Sequence, residues 1–129
     1  MSASISNSEW SVLECLWEKE PQTVTQLAHA LHDSVGWAKS TATTMVTRME
    51  QKGLLRYEEG GKARLYCTTL TREDAEARLT RSFLDRVYSG SVGMMVSALV
   101  SREALSPEEL DELRAILDRA EQKKSGNNK

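Results

Sequence analysis

WAKSTATTMVTRMEQKG, residues Trp37 to Gly53, carries two unlike faces when wound as a helix. Ala42, Met45, Val46 and Met49 fall on one side at i, i+3, i+4 and i+7. Ser40, Thr43, Thr44, Thr47 and Gln51 fall on the other, with Lys39, Arg48 and Lys52 at its ends and flanks. A surface helix ordinarily turns long charged side chains outward. This one turns out short hydroxyls, which let a helix come close enough to read base edges in a major groove. Flanking cations then hold it by neighbouring phosphates. An idle Thr-rich surface helix shows the same pattern, so the chain on either side has to distinguish the two.

Downstream, Gly53 suits the position that stops the helix. Leu54 to Glu58 reads as a strand, Glu59-Gly60-Gly61-Lys62 as a turn and Arg64 to Thr68 as the return strand. Upstream, Ser6-Asn7-Ser8-Glu9 is a capping box opening a helix with Trp10, Leu13, Leu16 and Trp17 on one stripe, ended by Pro21. Both tryptophans read as core. After a β-branched Thr23-Val24-Thr25, with Thr25 as cap, a second helix points Leu27, Ala28 and Leu31 inward and ends between Asp33 and Gly36. Three helices and a hairpin make a winged helix-turn-helix, whose third helix enters the major groove while the hairpin tip follows the backbone. Lys62 and Arg64 stand at that tip.

Beyond Leu70 the character changes. Thr71 to Gly90 reads as a helix with Leu79, Phe83 and Val87 on one side, Ser91 to Ser101 as a short apolar helix with Met95 and Leu99. Ser106-Pro107-Glu108-Glu109 caps a last helix with Leu110, Leu113, Ile116 and Leu117 on one face. So short a segment has too little mass to bury these stripes alone. A second copy buries them, which predicts a homodimer; packing back onto the chain's own first domain is the alternative. The expected organisation is a winged-helix DNA-binding domain over 1–70, a helical dimerisation domain over 71–122 and a disordered tail over 123–129.

A net charge of −2 argues against nucleic acid only if charge is spread evenly. It is not: residues 1–38 hold one basic and five acidic side chains, residues 39–66 six basic and three acidic. An acidic chain with one basic strip needs two copies to grip DNA well. No apolar run approaches the ~20 residues of a membrane span, and the N-terminus lacks the basic and apolar regions of a signal peptide. Cys15 and Cys67 sit in apolar surroundings without paired spacing and read as reduced core residues of a cytoplasmic protein. His29 and His32 lie at i, i+3, but no acidic or cysteine partner stands at ligand spacing, so no metal or other cofactor is expected.

The ordered set Ile5-Ser6-x-x-Glu9-Trp10, Trp17, Trp37, Thr41-x-x-Thr44-x-x-x-Arg48-x-x-x-Lys52-Gly53, Tyr66, Phe83-Leu84-Asp85-Arg86-Val87-Tyr88-x-Gly90 and Leu105-Ser106-x-Glu108-Glu109-Leu110 resembles the BlaI/MecI penicillinase-repressor family, which includes the copper-responsive CopY repressors. The resemblance spans Ile5 to Asp118. It implies a dimeric repressor on a palindromic double-stranded DNA operator built around TACA and TGTA half-sites. It gives Thr41, Thr44 and Arg48 the recognition role, and Lys62 and Arg64 the wing role. Exposure adds Lys39, Ser40, Thr43 and Thr47. Arg48 has a competing role in pairing with Glu50 or Glu14.

Two departures concern release. β-Lactam-responsive members are cleaved, downstream of a membrane sensor protease, at an Asn-Phe bond that corresponds by position to Ala98-Leu99 here. Copper-responsive members end in Cys-x-Cys motifs, and no cysteine follows Cys67. The first helical position, Lys39, also lacks the family's proline. Two rival functions share the fold: a winged-helix regulator sensing a small molecule at its dimer interface, and a protein-docking module. An interface core on the third helix would favour aromatics and leucine over hydroxyls. No nucleophile–base pair or carboxylate dyad is visible, so an enzyme is not expected.

Overall fold

The computed structural model describes residues 5–127. In order the chain forms α1 (Asn7–Glu18), α2 (Val24–Val35), α3 (Lys39–Lys52), β1 (Leu55–Glu59), β2 (Arg64–Thr68), α4 (Arg72–Tyr88), α5 (Val92–Ser101) and α6 (Pro107–Asn127). It is mainly α: a winged helix-turn-helix followed by helices. No described helix is long and apolar enough to cross a membrane.

The winged-helix core is built from the stripes. Leu13 and Leu16 from α1, Leu27 and Leu31 from α2, Met49 from α3 and Leu54 are fully buried, each contributing roughly 1.5–3 kcal/mol of apolar burial. Trp10 and Trp17 pack on that core edge to face at 5.1 Å, and the Trp17 indole N–H donates to the Leu70 carbonyl at 3.2 Å. Cys15 and Cys67 are buried and unpaired, and burial pushes the Cys15 thiol above its ordinary pKa, as expected of an inert core cysteine.

The wing pairs Leu55 with Thr68 through Glu59 with Arg64, antiparallel. Its turn closes with the Gly60 N–H donating to the Ala63 carbonyl. A Cβ at Gly60 would stand 2.6 Å from the Leu65 side chain, and Gly61 takes a φ of +88°, so both glycines are required. A third strand position, absent from the sequence reading, joins this hairpin. Gln22 and Tyr66 exchange main-chain bonds of 3.1 and 2.7 Å. The buried Gln22 amide also donates to the carbonyls of Cys15 and Lys19, closing the end of α1. Truncating it removes the donor to the Lys19 carbonyl and leaves the Cys15 carbonyl with the Lys19 N–H alone. Gln22→Ala is expected to cost about 1–3 kcal/mol, read as a lower urea midpoint at unchanged slope.

Three expectations are corrected. The cap of α2 is Thr23, not Thr25: its hydroxyl accepts from the Gln26 N–H while the Gln26 side chain accepts from the Thr23 N–H, a complete capping box. The tail is helical, with α6 running through Asn127; residues 128 and 129 lie outside the described residues. Glu121, Gln122, Lys123 and Lys124 are good helix formers, and lysines suit a helix C-terminus, so polarity there is no stop signal. Finally, the chain divides into two compact units within α4, after Ser82, rather than between 70 and 71. Ala75 is fully buried, and Leu79, half-buried, packs on the winged-helix core.

Candidate nucleic-acid interface

Helix α3 begins without a side-chain cap, since Ala38 offers none, and ends at Gly53 with a φ of +85°. Between them Ala42, Val46 and Met49 are buried, with Met45 packed beside them. That inward set leaves Lys39, Ser40, Thr41, Thr43, Thr44, Thr47 and Arg48 all exposed on one continuous surface.

The hydroxyls on that surface are not equivalent. The Thr43 hydroxyl donates to the Lys39 carbonyl at 2.9 Å and the Thr47 hydroxyl to the Thr43 carbonyl at 3.1 Å. Both protons are committed to the helix backbone, leaving only acceptor capacity and a methyl group to an outside partner. Among the described residues the Ser40, Thr41 and Thr44 hydroxyls make no hydrogen bond and keep both donor and acceptor. The sequence could not separate these two sets, because the distinction lies in rotamers.

The cations also divide. Arg48 is exposed and makes no ion pair among the described residues. The acids weighed against it are engaged elsewhere: Glu50 accepts from the Tyr66 hydroxyl at 3.4 Å, and Glu14 pairs with Arg72 at 3.6 Å. Lys39 and Lys62 are likewise exposed and outside every described ion pair. Arg64 lies with its guanidinium 4.2 Å from the Tyr57 ring centroid, a cation–π contact that steadies it on the wing.

Lys52 is different. Its ammonium donates to both carboxylate oxygens of Glu9 at 2.8 Å, and the same carboxylate accepts from the Ser6 N–H at 2.9 Å. Burial alone would raise the Glu9 pKa, but the Lys52 bonds and charge, with Ser6, outweigh it and hold the carboxyl below its ordinary value. Read from sequence as a phosphate-holding flank, Lys52 instead pins the end of α3 to the start of α1.

The second unit presents apolar surface. Phe83, Val87, Leu99, Ile116 and Leu117 are exposed, as are Val92, Met94 and Val100, while Met95, Leu110 and Leu113 are half-buried. Helix α5 has no buried residue. Leu84, at 2 % exposure, is the buried exception in the part of α4 belonging to this unit. The Ala98–Leu99 peptide lies inside α5, so a protease needing an extended strand would first have to unwind that helix.

A winged helix with this outer face on α3 matches known proteins over most of its length. The family model described as penicillinase repressor matches residues 5–119. The chain belongs to the penicillinase repressor family. That family is one of transcriptional repressors, not of enzymes. Among its relatives, the methicillin resistance regulatory protein MecI of Staphylococcus aureus strain N315 is 28% identical over 115 residues, covering 89% of this chain and 94% of its own. The penicillinase repressor of Bacillus licheniformis is 28% identical over 120 residues, covering 93% of this chain and 94% of its own. The solved DNA-binding domain of the repressor BlaI superposes with a TM-score of 0.52 at 23% identity, over 57% of this chain and 90% of that one. Monomeric Bacillus licheniformis BlaI in complex with the blaP half-operator superposes with a TM-score of 0.51 over the same shares. At that identity the two structures establish the fold of the family's winged helix in this chain.

Proposed function

We propose that this member of the family is a dimeric repressor that reads a palindromic operator with α3 and releases transcription when it leaves the DNA. The observation that carries the reading is the exposed hydroxyl surface of α3, flanked by Lys39 and Arg48 without ion-pair partners, on a winged helix of repressor type. Ser40, Thr41 and Thr44, with hydroxyl protons uncommitted, make the donor contacts to base edges. Thr43 and Thr47 accept from exocyclic amines or pack their methyl groups against thymine. Lys39, Arg48, Lys62 and Arg64 take phosphates. Support for the dimer comes from the second unit, where Phe83, Val87, Leu99, Ile116 and Leu117 leave a broad apolar surface uncovered. The half-sites follow the family's TACA and TGTA, and the protein works in the cytoplasm, where its operator is. Release by a membrane sensor protease acting at Ala98–Leu99 would show as two fragments on co-incubation with that sensor; an intact chain after induction would exclude it.

Two substitutions separate reading from holding. Thr44→Ala is expected to weaken operator binding by about 1–3 kcal/mol and to relax preference among operator variants. Lys62→Ala is expected to weaken all duplexes alike and to lower the slope of log affinity against log salt by about 1 per protomer. Equal losses on operator and random duplex for both variants would remove the assigned roles.

A further inference from the structure

Between the outer side of α2 and the start of α3 lies a cleft of about 210 Å³, lined by Thr25, Ala28, His29, His32, Trp37 and Lys39. Thr25, His29 and His32 share one side of α2 at i, i+4 and i+7. Among the described residues no carboxylate lines the cleft, and Lys39 stands outside every described ion pair. His32 is oriented: its Nδ1 lies 3.2 Å from the Trp37 carbonyl oxygen. A carbonyl oxygen only accepts, so Nδ1 carries the proton and Nε2 is the ring's remaining position. Trp37 and Ala28 supply the apolar wall. Trp37 is half-buried, so its ring is shared between the core and the cleft.

We propose that this cleft binds a small aromatic carboxylate, one ring bearing one acid group, and that occupancy competes with operator binding. The size points to a single ring. Drug-sized ligands take pockets of roughly 300–1,000 Å³, whereas a cavity of about 150 Å³ already holds benzene. The chemistry points to an acid: the Lys39 ammonium, the Thr25 hydroxyl and the His29 ring stand beside an apolar wall, with no carboxylate among the lining residues. Competition follows because the ligand takes the Lys39 ammonium, given above to a DNA phosphate. That second half rests on the DNA-binding reading; the first half does not.

The test uses the full chain and benzoate as the probe, followed by NMR of the indole N–H and imidazole signals. Trp37 and the His29 and His32 rings should shift saturably, with a dissociation constant on the order of 1 mM or tighter. Trp10 and Trp17 serve as internal controls away from the cleft. Acetate and inorganic phosphate at matched ionic strength should bind at least about tenfold more weakly. His29→Gln and Thr25→Val, both at exposed positions, should each weaken the benzoate response several-fold while the circular dichroism stays that of the parent. Phosphate binding as well as benzoate would overturn the proposal and make the cleft a seat for the DNA backbone; absence of any shift would overturn it outright. With benzoate at about nine times its dissociation constant, operator affinity should fall about tenfold for one competing site. Benzoate shifts with unchanged operator affinity would overturn the competition and leave the binding site standing. Benzoate shifts in a chain that binds no operator would overturn the DNA reading instead.

Discussion

Lys52→Met is expected to destabilise the winged-helix unit by about 2 kcal/mol at pH 7. Removing one partner of a fully buried ion pair costs about 3–5 kcal/mol, because the other charge stays buried without compensation. Glu9 meets that condition at 7% side-chain exposure, but Lys52 is 34% exposed, so water screens part of the interaction and the figure is reduced accordingly. For a domain of this size that loss lowers the melting temperature by about 8–16 °C. The pH dependence has a definite sign. In the parent the Glu9 carboxyl has a lowered pKa, so its contribution is complete above the unfolded carboxylate value near 4.3 and is lost as pH falls through the folded value. Without Lys52, burial dominates and the carboxyl binds its proton more readily in the folded state. The gap between parent and variant therefore narrows on acidification. Melting curves from pH 7 down to 3 measure it, and coincident curves at pH 7 would show that the pair contributes nothing.

Val100→Asp combined with Leu117→Asp is expected to leave the fold intact, abolish the dimer and weaken binding to the full palindrome at least about a hundredfold. Both side chains are exposed in the protomer, at 49% and 61%, so a carboxylate there keeps its hydration in the free chain. Across an apolar dimer interface of roughly 1,500 Å² or more, those carboxylates would be desolvated without partners. In the proposed dimer two recognition helices bind as one unit, and its loss would remove the avidity of a two-fold site. Affinity for an isolated half-site should stay near that of a parent protomer. Sedimentation equilibrium reads the first effect and anisotropy the second; a variant that sediments as a dimer would place the interface elsewhere.

What the sequence revealed and what it hid follow from the range of the forces involved. The inward set Ala42, Val46 and Met49 and the outward hydroxyls of α3 were legible because helical periodicity is local. So were the capping boxes at Ser6 and Ser106, each of which closes within three residues. The Thr23–Gln26 box at the start of α2 carries the same signature, yet β-branched Val24 and Thr25 suggested an extended stretch. The role of Lys52 is not local, because its partner Glu9 lies 43 residues away. No spacing rule reaches that far. Gln22 carries no local signal for the same reason, since its strand partner is Tyr66 across the domain. Leu79 shares a stripe with Phe83 and Val87, but a helix rigid over that length can serve two cores, and only packing shows where the change occurs.

The measurement that bears most directly on function is anisotropy of the full chain with a TACA/TGTA palindrome and a scrambled duplex, across a salt series. A sequence-reading dimeric repressor binds the palindrome at least about a thousandfold more tightly than the scrambled duplex, with affinity for both rising steeply as salt falls. Weak binding of equal strength to the two would contradict sequence reading by α3.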